Sequence, residues 1–425
     1  MDRILSLPRS LLRKAVDLWR RLWVRVALFG LFAVAALGLA QLVEPRLPGP
    51  IATVIDGAST DRLLDVIANA MLAATIFALT VMVSVYRSSA SQWTPRVHRL
   101  IMEDPTTQNT LATFIGTWVF ALTAIVLRET GAAPDDRALV LFALTCIVIA
   151  FMVWSLIRWT LHLQTFGSLI DITRHVEDIT SRRFAARLSE PCLGAHPLTD
   201  DTTIPDSARP VVAGKTGYLD RIWVEALQDA AEKADARIWI LAEIGSFVFE
   251  GETVARIDGG HDDPEGHESF LLDHLEIGDV RTYHQDPRFG LIVLSEIASR
   301  ALSPGINDPG TAIDVVNRAG RILSGYSADE RESREVLHDR LWIRPLDPAA
   351  LIGDAFDGVG RDGAGVIEVQ ERLQRVLCHL ARSGPPALAR AARDAAARHA
   401  ERAREAMTAE ADRRALAAAC AWLTE

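Results

Sequence analysis

Four apolar stretches within the first 160 residues constrain this chain more than anything else in it. They run from about Val24 to Val43, Val66 to Tyr86, Leu111 to Leu127 and Ala138 to Ile157, each near the roughly 20 residues that carry a helix across a bilayer. Hydrocarbon offers no partner to a backbone amide, so such a stretch satisfies its own amides by coiling into a helix. The fourth stretch is the most uniformly apolar. The third is short, and polar Gln108, Asn109 and Thr110 precede it. Arg25 lies close to the start of the first, where a long side chain reaches the interface.

Positive residues orient the spans. Arg3, Arg9, Arg13, Lys14, Arg20 and Arg21 precede the first, Arg87, Arg96 and Arg99 follow the second, and Arg158 and Arg174 follow the fourth. The two other loops hold only Arg46 with Arg62, and Arg128 with Arg137. The excess of positive charge on one side predicts a multi-pass membrane protein with both termini cytoplasmic. Residues 1–21 alternate these charges with leucines and read as a basic amphipathic segment on an anionic membrane face. A signal peptide cleaved near Gly38-Leu39-Ala40 is the competing reading. The long basic segment and the long apolar run after it favour a retained anchor. Residues 22–160 are then the four-helix transmembrane domain.

The second span carries polar residues. Asn69, Thr80, Ser84, Ser88 and Ser91 fall near one helical face, with Ala73 and Phe77 between them. Small and hydroxylated residues of this kind serve helix–helix packing. A sharper reading is a solute path, because polar atoms in hydrocarbon are costly and seek protein or water. Both uses stay open from the sequence.

Beyond the spans the pattern changes. Residues 161–190 continue a helical pattern as a stalk, and 191–210, rich in Pro, Asp, Thr and Ser, read as a linker. Residues 211–346 predict an α+β domain. It has a strand at Val211–Ala213, a helix over Leu219–Ala234, a buried strand at Ile238–Ala242, a hairpin through GSFVFEGETVARI and a strand near Leu341–Leu346. Residues 347–425 are a helical region, amphipathic over Val366–Arg382 and rich in Ala, Arg and Glu after Pro386. The chain's net charge of −10 argues against nucleic acid as a partner, since phosphate neutralisation requires a basic surface. Cys146, Cys192, Cys378 and Cys420 are scattered and form no CxxC, which points to reduced thiols. No lysine follows Lys233, which excludes a lysine-linked cofactor there. The acidic loop with His261, Asp262, Asp263, Glu265, His267 and His274 matches no strict metal spacing. No cofactor and no metal are expected.

Within the α+β domain, Arg281–Ile313 is the organising stretch. Asp286-Pro287 and Asp308-Pro309 each stand before an apolar periodic run. Aspartate caps a helix by accepting from first-turn amides, and proline fits the first helical position. Leu291, Leu294, Ile297, Ala298, Ala301 and Leu302 recur at helical spacing, and Ser303-Pro304-Gly305 ends the run. A helix, a turn and a second helix follow. The free amides of a helix start attract anions, so Arg281, Asp286, Arg288, Asn307, Asp308, Gly310 and Thr311 are candidate ligand or interface residues. The same aspartates also cap the helices and repel an anion.

The patterns DPRFGLIVLSEIASRALSP and GINDPGTA, with VSVYRSSASQWTPRV at the end of the second span, resemble the signature of a bacterial family of predicted membrane proteins. That family is catalogued as domain of unknown function twenty-two fifty-four. The resemblance covers roughly residues 20–345. It implies an architecture and brings no catalytic residues with it.

The expectation is an α-helical membrane protein with four transmembrane helices and a C-terminal cytoplasmic α+β domain. No nucleophile elbow, HExxH or phosphate-loop pattern occurs, so no enzymatic activity is expected. Four helices make a poor pore in one chain. The first functional expectation is therefore a homo-oligomeric channel or transport-like protein with a cytoplasmic gating or sensing domain. The alternative is a membrane-anchored sensor or scaffold whose cytoplasmic domain binds a ligand or partner. The expected partners are the lipid bilayer, further copies of the chain and a small anion or ion.

Overall fold

The computed structural model describes residues 22–43, 57–92, 94–102, 104–130, 139–164, 168–260, 263–326 and 336–424. The basic segment 1–21 and the loop residues His261 and Asp262 lie outside them. The chain forms two compact units, residues 1–171 and 172–425.

In the first unit, α1 (Leu22–Val43), α2 (Gly57–Gln92), α4 (Pro105–Glu129) and α5 (Leu139–Leu163) follow the four apolar stretches, with a short α3 (Pro95–Met102) after α2. All four are long and apolar enough to cross a membrane. The helix around which they gather is the one the sequence marked as short. The segment containing α4 is 56% buried, against 17–22% for the other three, and α4 packs on α1, α2 and α5. Its buried side is unusually rich in hydroxyls, with Thr107, Thr110, Thr113 and Thr117 beside Phe114, Phe120, Ala121 and Ala124. Threonine adds little bulk, so helices approach closely. At Gly116 the approach leaves no room for a side chain, since a Cβ there would lie 2.4 Å from the Phe29 ring of α1.

Polar side-chain contacts tie the bundle at both ends. Arg128 near the end of α4 donates Nε and NH2 to Asp61 in α2. At the other end Asp104 caps α4 by accepting from the Thr107 amide at 2.7 Å. The same carboxylate lies 3.0 Å from His162 Nε2 of α5.

The second unit opens with α6 (Leu169–Ser189), whose inward stripe is Val176, Thr180, Phe184 and Arg187. A five-stranded mixed sheet has the order β1 (Ala195–Pro197), β8 (His338–Ile343), β4 (Arg237–Ile240), β6 (Thr253–Asp258), β2 (Arg209–Val212). A three-stranded antiparallel sheet has the order β5 (Phe247–Val248), β3 (Gly217–Ile222), β7 (Leu275–Gly278). Leu219, Ile222, Ile238, Ile240, Ile257, Leu275 and Ile343, with Leu227 of α7 (Val224–Lys233), form one core across both sheets. The remaining elements are α8 (Pro264–Asp273), α9 (Pro287–Ala301), α10 (Pro309–Ser324), α11 (Pro348–Asp362), α12 (Ile367–Ser383), α13 (Pro386–Ala406) and α14 (Glu410–Ala419).

Several sequence expectations are corrected here. Residues 191–210 are more than a linker. They supply β1, and Leu198, Ile204 and Ala208 cover the outer face of the sheet over Trp239 and Trp342. His196, Trp342 and Trp239 stand in register on neighbouring strands, with ring centroids 4.8 and 5.0 Å apart. Proline and aspartate suggested a tether, while sparse apolar residues were enough to seal an aromatic row. The helix expected over Leu219–Ala234 begins only at Val224. Residues 217–222 form a strand because pairing on both sides with β5 and β7 outweighs local helical spacing. The expected hairpin is split, with β5 pairing to β3 and β6 lying between β2 and β4 in the other sheet. The boundary expected after Leu346 crosses a continuous helical assembly, because α9 and α10 pack on α11 and α12, and α11 in turn packs on α13.

Candidate functional site

The loop leading to α9 is fixed from β3. The Gln285 side chain accepts from the Ile222 amide at 2.8 Å and donates to the Ile222 carbonyl at 3.1 Å. This seats Asp286, buried at 2% exposure. Its Oδ1 accepts from the amides of Arg288 and Phe289 at 3.0 and 3.2 Å, and its Oδ2 accepts from Arg281 Nε at 2.6 Å. Gly245, at φ +84°, passes over this pair, and a Cβ there would lie 2.0 Å from Asp286 Oδ2. Only glycine combines that positive φ with so close an approach.

Arg288 continues the network. It donates Nε to Asp354 of α11 at 2.7 Å and NH1 to Glu243 at 3.1 Å. Burial pulls its pKa down, but the two carboxylates overcome that and raise it, so the guanidinium stays charged. Arg187 arrives from α6. It is 8% exposed and donates NH2 to the Arg344 carbonyl at 3.1 Å, while its buried NH1 has no hydrogen-bond partner. Burial lowers its pKa against the opposing pull of Cys192, Asp286 and Glu243. These residues line a small cleft of about 30 Å³, with the starts of α9 and α11 on its rim. A water needs on the order of 10–15 Å³. The cleft therefore suits about two waters or a very small anion.

The sequence placed seven candidate residues along one stretch, and the structure divides them. Arg281, Asp286 and Arg288 meet at the start of α9. Asn307, Asp308, Gly310 and Thr311 sit beyond its other end, about 22 Å away for 15 residues at the helical rise. There Asp308 accepts from the Thr311 amide and hydroxyl at 3.1 and 2.6 Å. Those bonds hold its carboxyl below the usual range. Asn307 takes φ +51° and donates its amide to the Ser303 carbonyl at 2.8 Å. It thus shapes the turn through its backbone, in a left-handed conformation that asparagine tolerates. Each helix start is occupied by its own aspartate.

Arg187, Glu243 and Asp354 were not legible as partners, because they come from α6, the loop after β4 and α11. A second polar cluster uses residues next to Arg281 and Asp286 in sequence. Asp220 of β3, 6% exposed, accepts from the Thr282 hydroxyl and lies 2.9 Å from His284 Nδ1. Burial raises this carboxyl, but the bonds from His284 and Thr282 outweigh it and hold it low. An imidazole oriented by a carboxylate is a familiar acid–base pairing. Here the same bonds also tie the 281–286 loop to β3. Among the described residues no group of three metal-ligating side chains gathers anywhere.

In the first unit, α2 buries Thr60, Leu64, Ile67, Met71, Thr75 and Ala78 against its neighbours. The polar candidates are on the other side. Asn69, Thr80, Ser84 and Ser88 are all exposed, together with Ala73 and Phe77. The side chain of Ser91 lies outside the described residues. Thr80 donates its hydroxyl to the Ile76 carbonyl at 2.8 Å, and Asn69 donates Nδ2 to the Asp65 carbonyl at 2.9 Å. Within one chain these residues therefore do not serve packing. The densest set of buried hydroxyls is that of α4, which the sequence did not single out. Their signal was a threonine every three or four residues from 107 to 117.

The profile of the family described as Predicted membrane protein (DUF2254) matches residues 19–379, and the chain belongs to that family. Two curated relatives are Uncharacterized protein Mb1321c of Mycobacterium bovis and Uncharacterized protein Rv1290c of Mycobacterium tuberculosis. Each is 28% identical over 260 residues, which is 59% of this chain and 48% of the relative. The chain thus spans about half the length of the curated relatives it matches. No solved structure matches it.

Proposed function

We propose that this is a homo-oligomeric, channel- or transport-like protein of the bacterial inner membrane, in which subunits meet along the outward face of α2. The observation that carries this is Asn69. It is exposed and stands four residues from the middle of the apolar segment Ala58–Ser88, about 6 Å along the helix. Its bond to Asp65 uses one amide hydrogen and leaves the carbonyl oxygen to be satisfied. An amide oxygen near the bilayer midplane is costly in lipid, and asparagine across a helix interface is a recognised remedy. The bundle's own centre is filled by α4 with Phe114 and Phe120. A solute path therefore belongs between subunits, where Thr80, Ser84 and Ser88 extend the polar face. The basic flanks support a reading with both termini in the cytoplasm, in which the second unit is a cytoplasmic regulatory domain. The proposal assigns no chemical reaction to the chain.

The test is ionic current across planar bilayers holding the purified protein. It is paired with disulfide cross-linking of a Ser84→Cys variant in a Cys146→Ser background. The expected result is cross-linked oligomers, together with current that Ser84→Trp blocks while the assembly stays intact. Monomers throughout, with no cross-link across this face, would reject the proposal.

A second reading is favoured by one specific observation, the buried unpartnered NH1 of Arg187. In it the chain is a membrane-anchored sensor, and the cleft at the start of α9 takes up a small anion. Stabilisation of the full protein by chloride or phosphate, lost in Arg187→Met, would favour this second reading.

A further inference from the structure

A cavity in the first unit lies away from α2. It opens between α1, α4 and α5, at the end where α1 and α4 begin and α5 finishes, and it measures about 670 Å³. Two arginines line it. Arg25, in the first turn of α1, donates to the side-chain oxygen of Asn109 in α4. Arg158, in the last two turns of α5, lies over the Trp154 ring at 5.4 Å. Hydroxyls of Thr106, Thr110 and Ser155 complete the polar part. Among the described residues no carboxylate lines the cavity. The carboxylate nearest in sequence, Asp104, is engaged by His162 and the Thr107 amide.

The lower part of the cavity is apolar. Phe29 and Phe32 of α1 face Phe151 and Trp154 of α5, and the last two rings stack at 5.7 Å. Phe32, Phe151 and Trp154 are 40%, 42% and 53% exposed, so this part opens sideways, toward the surroundings of the bundle. A cavity with cations at its mouth, at the end of apolar helices, and open aromatic walls beneath matches one chemistry. A phosphate group is held at the interface while a chain descends along the aromatic wall. Basic pockets between helices near the cytoplasmic interface take anionic headgroups in this way, and arginine recognises phosphate through paired N–H donors. A lone snorkelling arginine accounts for either residue singly. It does not account for two of them sharing a cavity with hydrogen-bonding side chains.

We propose that the cavity between α1, α4 and α5 binds an anionic phospholipid, with Arg25 and Arg158 on its phosphate and the Phe29–Phe32–Phe151–Trp154 wall along its glycerol and upper acyl chains. A membrane path formed at α2 would then be sensitive to lipid composition through a separate face of the same bundle. The proposal does not depend on that path.

The test is native mass spectrometry of the full chain in neutral detergent, titrated with phosphatidylglycerol, phosphatidylcholine or inorganic phosphate. Phosphatidylglycerol is expected to bind about tenfold more tightly than phosphatidylcholine, and inorganic phosphate at millimolar concentration is expected not to displace it. Arg158→Gln is expected to erase that preference, whereas Arg99→Gln, outside the cavity, is expected to keep it. Arg158 is exposed, so its replacement leaves the bundle's packing in place. If Arg25→Gln disrupts the fold, Arg25→Lys retains the charge and is expected to lower affinity a few-fold through loss of the paired donors. Equal binding of the two lipids would overturn the proposal. So would an unchanged preference in Arg158→Gln, or displacement by inorganic phosphate, which would mark a simple anion site.

Discussion

The two units of this protein treat polar groups in opposite ways. In the second unit guanidinium and carboxylate groups come in connected sets. Arg288 bridges Asp354 and Glu243, and Glu177, 7% exposed in its side chain, accepts from both Arg318 and Arg321. In the first unit the polar groups inside the bundle are mostly threonines, and the described charged contacts sit near helix ends, the Arg128–Asp61 ion pair at one end and the Asp104 carboxylate bonded to His162 at the other. What is left over differs accordingly. The second unit gathers its charged groups into bonded networks, while some buried atoms there, among them Arg187 NH1 and Trp239 Nε1, have no hydrogen-bond partner. The first carries an asparagine and several hydroxyls outward on α2, and two arginines at the mouth of a cavity. Polar groups that face outward from an apolar bundle are the ones that call for partners.

The sharpest way to break that contrast is to remove Asp286. Its carboxylate satisfies two helix-start amides and the guanidinium of Arg281, with side-chain exposures of 2% and 17% for the two partners. Deleting one partner of a buried pair costs about 3–5 kcal/mol. Asp286→Ala is expected to unfold the second unit at lower denaturant, monitored by limited proteolysis of the full chain in detergent. Little loss of protease resistance would mean that the 281–288 network is looser than its geometry indicates.

The corresponding lesion in the membrane unit is steric. At Gly116 an added Cβ meets the Phe29 ring at 2.4 Å, and overpacking of this kind costs about 1–3 kcal/mol. Gly116→Ala is expected to lower the midpoint of thermal aggregation in detergent, and Phe29→Ala in the same chain to restore part of it. Additive losses in the double variant would show that α1 and α4 do not meet through this pair.

The legibility of the chain follows the same divide. The four long apolar helices and the family were readable because apolar length and short motifs are local properties. Helix starts at Asp286 and Asp308 were readable because a cap is made by residues two or three apart. The strand at 217–222 and the edge strand at 195–197 were not readable, since each depends on partners far along the chain. Arg187 was hidden for the same reason. Nothing in the helical pattern of α6 distinguishes an arginine that ends a buried stripe from one that faces water. The polar residues of α2 were visible in the sequence as a face, but the direction of that face required the structure. The central place of α4 went unseen because its threonines lowered its hydropathy and made it look like the weakest span.

A milder effect is expected at the other end of α9. Asp308→Ala removes a helix cap worth about 1 kcal/mol. The carboxylate is favoured in the folded state because Thr311 donates to it from hydroxyl and amide, so its pKa is lowered there. Folding thus binds this proton more weakly than the unfolded chain does. The stability it contributes is fully present above the unfolded value near ~3.9 and is lost as pH falls through the lower folded value. Comparing acid unfolding of wild type and Asp308→Ala below pH 5 is expected to show the two curves converging. A constant gap down to the lowest pH would mean that the cap acts through its shape rather than its charge.

The smallest effect bears most directly on function. Asn69 makes no contact that the single chain needs, because its described bond goes to the carbonyl of Asp65 one turn earlier. Asn69→Leu is therefore expected to leave the bundle's thermal stability unchanged or slightly raised. A hydrogen bond between helices in a membrane is worth about 0.6 kcal/mol on average. Each bond removed from a subunit contact is then expected to shift its association constant only about threefold. That shift is measurable by single-molecule photobleaching in bilayers diluted over several decades of protein-to-lipid ratio. The partner control is Thr75→Val on the buried side of α2, where the hydroxyl donates to the Met71 carbonyl at 2.7 Å. It is expected to alter bundle stability and leave association alone. If Asn69→Leu associates like wild type, or more strongly, then the amide is not at a subunit contact. The outward face of α2 would then be facing lipid with its polar groups satisfied by its own backbone, as Thr80 already is.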